Sequence, residues 1–144
     1  MTVKQQSHVR WMIRIDLAEV MEIDRYHFTE SWTEEDFVRC LRQRNVIGLV
    51  AEDSEGVLRG FMLYELHKSR IEIIRIAVSH HRYGLALVDK IKSKLSSVRR
   101  HKIAIDVPEV LLDTQLAFRD MGFVAVEIKE SLGETFYRME YKHG

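Results

Sequence analysis

The stretch from Ile71 to Val107 changes its hydrophobic period twice and thereby restricts the fold. It opens with "IEIIRIAV", a run rich in β-branched residues, and continues into a segment whose apolar residues recur at helical spacing. These residues are Leu85, Val88, Ile91 and Leu95. The stretch closes with a second β-rich run, "KIAIDV". Because two strands joined by a helix need a crossover connection, the pattern predicts a mixed sheet that is covered by helices.

Further elements flank this stretch on both sides. Before it, an opening strand leads to two helices, the second starting at a capping-box-like pair, Thr33 and Asp36, and three β-rich runs then predict an antiparallel meander. After it, Pro108 ends a strand, a helix stops at Gly122, and two strands finish the chain. The predicted order is β-α-α-β-β-β-α-β-α-β-β. This is an α/β (α+β) fold, with a mixed central sheet of about six to seven strands and about four helices, in one domain over residues 1–144.

Composition excludes several classes of protein. Lys and Arg number 22, as do Asp and Glu, so no overall field attracts nucleic acid or an anionic membrane, and any anion site has to be local. The single cysteine, Cys40, cannot form an internal disulfide, and no spacing of Cys and His residues supports a metal site. The sequence has neither the apolar run of a signal peptide nor the ~20 apolar residues that span a bilayer. We therefore expect a soluble, cytoplasmic protein without nucleic-acid or membrane partners.

A basic cluster and a glycine lie where the first strand of the crossover meets its helix, in "AVSHHRYGLALVDKI". The N-terminus of a helix has unpaired backbone N–H groups and the positive end of the helix dipole, and together they form an anion site. Gly84 would let the backbone approach a ligand, while His81 and Arg82 would add donors. The predicted ligand is a phosphate group, although a glycine before a helix also serves as a simple turn. The stretch matches neither of the common nucleotide-binding loops.

The element order, "IEIIRIAV", the "HRYGLA" turn and "FRDMGF" together resemble the GCN5-related N-acetyltransferase (GNAT) superfamily over nearly the whole chain. The resemblance implies acetyl-CoA as the cofactor, with its pyrophosphate on the backbone of the signature residues. These would be His81, Arg82, Tyr83, Gly84, Leu85 and Ala86, with His81 standing where the family prefers Gln or Arg. It also implies that the fourth and fifth strands splay apart, so that Ile76, Ala77 and Val78 pair with the pantetheine. The N–H groups of Ile76 and Val78 would then stabilise the oxyanion.

Two stretches, "FTESWTEEDF" and "GLVAED...GFMLYEL", are similar to the RimI-type alanine N-acetyltransferases. This similarity implies a protein or peptide N-terminus as the acceptor, a ribosomal protein being one example, which attacks acetyl-CoA directly in a ternary complex. The acceptor pocket would be lined by Phe28 and Trp32, and Glu30 would help to bind a cationic N-terminus. The alternative is that Phe28 and Trp32 are core residues. Acetylation of a small polyamine or antibiotic also stays open.

An amine attacks a thioester only when it is neutral, so a general base is expected. Glu72 is the first candidate, because the family has its base four residues before the position of Ile76. Strand alternation would place Glu72 on the face of Ile74, Ile76 and Val78, where apolar neighbours would raise its pKa, unless a bulge intervenes. The alternative interpretation of Glu72 is an ordinary strand residue whose side chain faces the solvent.

Asp106 on the next strand is the second candidate base, with the capping of a turn as its alternative. The two acids lie on strands that we expect to be neighbours, so they could act jointly.

The leaving thiolate benefits from a proton, and here the sequence departs from the RimI pattern. Phe118 stands where those enzymes have an acidic tyrosine, and Leu111 where they have an asparagine that contacts the cofactor. Tyr137, Tyr26 or water would then have to supply the proton. These departures support one further alternative, a GNAT-like domain that binds acyl-CoA with weak or no catalysis.

Overall fold

The computed structural model describes residues 7–144, and within them the predicted order of strands and helices is confirmed. The strands are β1 (His8–Trp11), β2 (Val46–Glu52), β3 (Leu58–Leu66), β4 (Arg70–Val78), β5 (Lys102–Pro108), β6 (Val124–Ser131) and β7 (Glu134–Lys142). The helices are α1 (Leu17–His27), α2 (Glu34–Leu41), α3 (His81–Lys92) and α4 (Leu112–Asp120), and a short 3-10 turn (Arg14–Asp16) precedes α1. No helix of the described chain is both long and apolar enough to cross a membrane.

All seven strands form one mixed sheet in the order β1-β2-β3-β4-β5-β7-β6. The meander predicted for β2, β3 and β4 is antiparallel, and β4 with β5 is the parallel pair that α3 connects. The antiparallel partner of β5 is β7 rather than β6, so β6 forms the edge of the sheet.

Helices cover the sheet on both faces. One buried cluster contains the inner residues of α3 together with Phe118 of α4. The second buried cluster contains the inner residues of α1 and α2. Cys40 on α2 is buried in the second cluster, as its helical spacing predicts. The two clusters fix α3 and α4 on one face of β4 and α1 on the other.

Two of the predicted helix boundaries are confirmed in atomic detail. The Thr33 hydroxyl accepts a hydrogen bond from the Asp36 N–H at 3.1 Å, and the Asp36 carboxylate accepts one from the Thr33 N–H at 2.9 Å, which completes the capping box of α2. Gly122, just after α4, has a φ of +96°, the left-handed conformation that favours glycine.

We expect Gly122→Ala to lower the free energy of unfolding by more than Gly56→Ala. Both glycines have positive φ, so each alanine costs about 1 to 2 kcal/mol in backbone strain. A Cβ at position 122 would also lie 3.2 Å from the Tyr141 ring, whereas one at position 56 would have nothing within 4 Å. Urea unfolding of the two variants measures the difference, and equal losses would mean that Tyr141 moves aside without cost.

Candidate active site

β4 and β5 pair over only four residues each, from Arg70 opposite Lys102 to Ile73 opposite Ile105. β4 nevertheless continues to Val78, with β3 paired along its other side. The edge of β4 that faces β5 is therefore without a strand partner from residue 74 onward. The expected opening lies here, and it includes Ile76, Ala77 and Val78.

A cleft of about 260 Å³ adjoins this free edge. It runs between β4, the first turn of α3, the inner side of α4 and the end of α1. Its lining includes Ile76, Ala77, Val78, His81, Gly84, Leu111, Phe118, His27 and Phe28. Three predicted parts of a cofactor site, the β4 edge, the α3 N-terminus and the α4 face, thus border one cavity. No cluster of His, Cys, Asp and Glu suited to a metal occurs within residues 7–144.

Gly84 lies inside the first turn of α3, which begins at His81, and not in a loop before the helix as the sequence suggests. Its φ is not among the positive values, so its backbone conformation does not require glycine. A Cβ at this position would lie 3.6 Å from Val78 Cγ2, an ordinary contact. Neither backbone conformation nor packing therefore requires glycine at this position.

The other signature residues are not all at the cleft. His81 lines it together with Gly84, whereas Tyr83 is buried in the core and Leu85 is exposed. The Arg82 guanidinium lies over the Tyr83 ring, with its Cζ 4.9 Å from the ring centroid. Arg82 therefore adjoins the site without lining it.

His80 caps α3, a role that the sequence analysis missed. Its Nδ1 accepts a hydrogen bond from the Arg82 N–H at 3.1 Å, so the side chain occupies one of the helix N-terminal donors. A phosphate that used this N–H would first have to displace the imidazole. The position before a predicted helix is the only sequence signal for such a cap, and histidine is not a common residue there.

A β-bulge at Ile74 overturns the expected face of Glu72. Arg75 pairs with Leu63, but the next residue of β3, Tyr64, pairs with Ile73, which leaves Ile74 as the inserted residue. Ile76 and Val78 consequently pack in the cluster on the α3 side, together with Ile71 and Ile73, and Glu72 lies on the opposite face. The prediction that Glu72 shares a face with Ile76 and Val78 is therefore wrong.

Glu72 and Asp106 meet at a single guanidinium, that of Arg138 on β7. Arg138 donates to the two oxygens of Glu72 at 2.8 and 3.0 Å and to Asp106 at 3.0 Å. Arg70 adds a hydrogen bond to Glu72 at 3.1 Å, and Lys129 adds one to Asp106 at 3.0 Å. The hydrogen bonds that Arg138 donates to Glu72, and secondarily to Asp106, raise the pKa of Arg138 against the opposing effect of its burial.

The predicted proximity of the two acids is found, but both carboxylates have cationic partners from the chain. Glu72 accepts hydrogen bonds from Arg70 and Arg138. Asp106 accepts its hydrogen bonds from the side chains of Lys129 and Arg138 and does not cap a turn. The Asp106 side chain is 33% exposed and that of Glu72 15%, so Asp106 is the more accessible. Arg138 was missed, because its position depends on the register between β5 and β7, which the sequence does not specify.

The segment Phe28–Trp32 is fixed to β4 by Arg75, which the sequence analysis also missed. Arg75 donates to both oxygens of the fully buried Asp24 and, at 3.1 Å, to the backbone oxygen of Glu30. Its Cζ lies 3.9 Å from the ring centroid of Phe28 and 4.6 Å from that of Trp32. The two rings predicted for the acceptor pocket thus enclose a cation of the chain itself, and only Phe28 also lines the cleft.

The tyrosines predicted as proton donors lie away from the cleft lining. Tyr137 packs against the core cluster on the α3 side, and Tyr26 is exposed on α1. Phe118 does line the cleft, where its ring packs edge-on against Phe123 with centroids 4.9 Å apart. Among the described residues, 7–144, no tyrosine borders the cavity.

No protein-family model and no curated protein matches the sequence. Solved structures match it over most of their length. The ribosomal-protein-S18-alanine N-acetyltransferase from Escherichia coli is 12% identical with a TM-score of 0.78, over 95% of this chain and 94% of that one. Arabidopsis thaliana NAA60 in complex with acetyl-CoA is 14% identical with a TM-score of 0.77, over 95% and 98%.

A mutant of the spermidine N-acetyltransferase SpeG from Vibrio cholerae is 16% identical with a TM-score of 0.76, over 95% of this chain and 94% of that one. The names of the first and third proteins give different acceptors, a ribosomal-protein alanine and spermidine, so the likeness concerns the shared fold. The seven-stranded sheet, its four helices and its opening between β4 and β5 give this chain the fold of the GCN5-related N-acetyltransferases.

Proposed function

We propose that this protein is an acetyl-CoA-dependent N-acetyltransferase that modifies the α-amine of a protein or peptide. The observation that carries the proposal is the single cleft that joins the free edge of β4 to the first turn of α3. Backbone groups of Ile76 to Val78 would pair with the pantetheine. The turn at Gly84 would hold the pyrophosphate, since anions bind at helix N-termini. NAA60, whose structure contains acetyl-CoA, shares this fold.

In the proposed reaction the amine attacks the thioester carbon directly within a ternary complex. The backbone N–H groups of Ile76 and Val78 are the donors that would face the developing oxyanion. Neither predicted base is in the lining of the cleft, and Asp106 is the better placed of the two, because it is more exposed and one of its oxygens accepts only from Lys129. Since it lies among cations, we expect it to act through a water molecule. Glu72, which accepts three hydrogen bonds from two guanidinium groups, is expected to orient Arg138.

The charges around the opening favour a peptide over a polyamine. A polyamine carries several ammonium groups and requires several unpaired carboxylates. Here Glu72, Asp106 and Asp24 are each paired with an arginine of the chain, and Arg75 fills the space between two aromatic rings. A peptide N-terminus has a single ammonium group and a backbone, so its binding requires fewer unpaired carboxylates. The similarity of "FTESW" to the RimI-type enzymes points the same way, and a ribosomal protein is one possible acceptor.

Acyl-CoA binding without efficient catalysis is the second candidate function. It is favoured by Phe118 and Leu111, which line the cleft at the positions where the RimI-type enzymes have a tyrosine and an asparagine. This alternative predicts cofactor binding without turnover.

Calorimetric titration with acetyl-CoA tests the cofactor site. We expect Gly84→Glu to abolish binding, because its side chain would occupy the position of the pyrophosphate. Gly84→Ala should raise the free energy of unfolding by about 1 kcal/mol, since the methyl group fits against Val78 and alanine favours the helix. The same methyl group should weaken acetyl-CoA binding, so that stability and affinity change in opposite directions.

Ser97→Glu, which adds the same charge in the connection from α3 to β5, is the matched control and should bind acetyl-CoA like the wild type. Wild-type affinity for acetyl-CoA in a folded Gly84→Glu variant would show that the first turn of α3 does not bind the cofactor.

Substitution of the two acids separates their expected roles. Asp106→Asn should lower kcat by about tenfold or more without changing the Kd for acetyl-CoA, as expected for loss of a proton acceptor. Glu72→Gln should instead lower the free energy of unfolding, because it leaves Arg138 and Arg70 with one partner fewer. Steady-state kinetics and urea unfolding on each variant provide both readouts. Full turnover in both variants would exclude either acid as the base.

The acceptor class is tested with three substrates at equal concentration. We expect a peptide with a free α-amine to be acetylated faster than spermidine, and faster than the same peptide blocked at its N-terminus and carrying an internal lysine. Mass spectrometry of the products identifies the modified amine. Preferential acetylation of spermidine would favour the small-amine alternative.

A further inference from the structure

The proposed reaction lacks an assigned donor for the proton that the leaving sulfur takes up. Phe118 has no proton to give, and neither Tyr137 nor Tyr26 borders the cleft. Among the side chains that do border it, His27, His81 and Asp113 are titratable. Aspartate is ordinarily ionised at neutral pH, and His81 lies with Gly84 in the turn predicted for the pyrophosphate. His27 is the side chain that remains.

The ring of His27 is held by one hydrogen bond. Its Nδ1 lies 2.9 Å from the backbone oxygen of Ile23, one turn earlier in α1. A carbonyl oxygen only accepts, so Nδ1 carries the hydrogen in this contact. Within the described chain Nε2 has no hydrogen-bond partner, and it is therefore the nitrogen that can exchange a proton with a ligand in the cleft.

The position of His27 suits a proton donor. It is the last residue of α1, and cationic side chains are stabilised at the C-terminal end of a helix by the dipole. The next residue, Phe28, stacks on Arg75, and its N–H donates to the backbone oxygen of Asp24 at 2.9 Å. Asp24 in turn pairs with Arg75. The last turn of α1 is thus tied to the free edge of β4, which keeps His27 at the cleft.

We propose that His27 is the general acid of this enzyme, an inference that rests on the proposed acetyl transfer. In the step, the amine nitrogen forms a bond to the acetyl carbon and its surplus proton passes, through water, to Asp106 and the solvent. The bond between carbon and sulfur breaks, and the sulfur takes the proton of Nε2 from the His27 imidazolium. The solvent then returns a proton to Nε2.

The charged and titratable groups around His27 are Tyr26 on the same helix, Arg75 behind Phe28, and His81 with Asp113 across the cleft. Only the protonated ring can give a proton to the sulfur, so the proposed role of His27 requires the imidazolium. The amine, in contrast, has to lose a proton, so the kcat of the wild type should pass through a maximum with pH.

The deciding experiment compares wild type, His27→Gln and His101→Gln across pH with a free α-amine peptide. Glutamine retains hydrogen-bonding capacity but cannot transfer a proton. We expect kcat to fall about 100-fold or more in His27→Gln, with its decline at high pH removed and the Kd for acetyl-CoA changed less than threefold. His101 is exposed at the opposite end of the sheet, so His101→Gln should match the wild type.

Wild-type kcat in His27→Gln would overturn the assignment of His27 alone, whereas absence of turnover in the wild type would overturn the acetyltransferase proposal and the role of His27 with it. Phe118→Tyr provides a second test, because it adds a phenol to the cleft. It should restore part of the turnover of His27→Gln. A several-fold gain in the wild type would show that the thiolate lacks a donor and would also overturn the proposal.

A third readout needs no activity. Long-range proton–nitrogen NMR spectra of the free protein should show the neutral His27 ring with its hydrogen on Nδ1. A hydrogen on Nε2 would contradict the contact with Ile23 from which the proposal starts.

Discussion

The ion pair between Asp24 and Arg75 determines how α1 meets the sheet. Asp24 is fully buried and accepts hydrogen bonds from Arg75 and from the Trp32 N–H, the latter at 2.7 Å. A buried carboxylate is tolerated only when it is paired and hydrogen-bonded, and removal of one partner of such a pair commonly costs about 3 to 5 kcal/mol. This contact stabilises the orientation of α1 and the course of the segment 28–32 against β4. It is local in space but spans 51 residues of sequence.

The same principle of charge compensation extends across the sheet. The chain is neutral overall, and the carboxylates of Glu72, Asp106 and Asp24 each have cationic partners. These partners are Arg138, Arg70, Lys129 and Arg75. These arginines and the lysine lie on β4, β6 and β7. The cations that pair with these carboxylates therefore come from strands that are distant from one another in the sequence. A guanidinium that serves two carboxylates makes their behaviour interdependent, since a change at one alters the field at the other.

Local patterns predicted most of the fold, because hydrophobic period, caps and glycine positions act over a few residues. Thr33 and Gly122 are examples in which one side chain, or its absence, fixes a helix end. The bulge at Ile74 was not predictable, because "IEIIRIAV" is compatible with regular alternation and the inserted residue is identified only by its pairing with β3. The site of Arg138 required the β5–β7 register, and that of Arg75 required the docking of α1. Long-range contacts such as these decided which predicted residues meet at the site.

The short parallel pairing has a mechanical consequence for the whole molecule. β1 to β4 form one antiparallel block and β5 to β7 form another, and four residue pairs join the two blocks. The core on the α3 side packs across this joint, because it contains Ile73 of β4 as well as Ile105 of β5. The two blocks are therefore held together by buried side chains as well as by backbone pairing, and the width of the opening depends on how that core is packed.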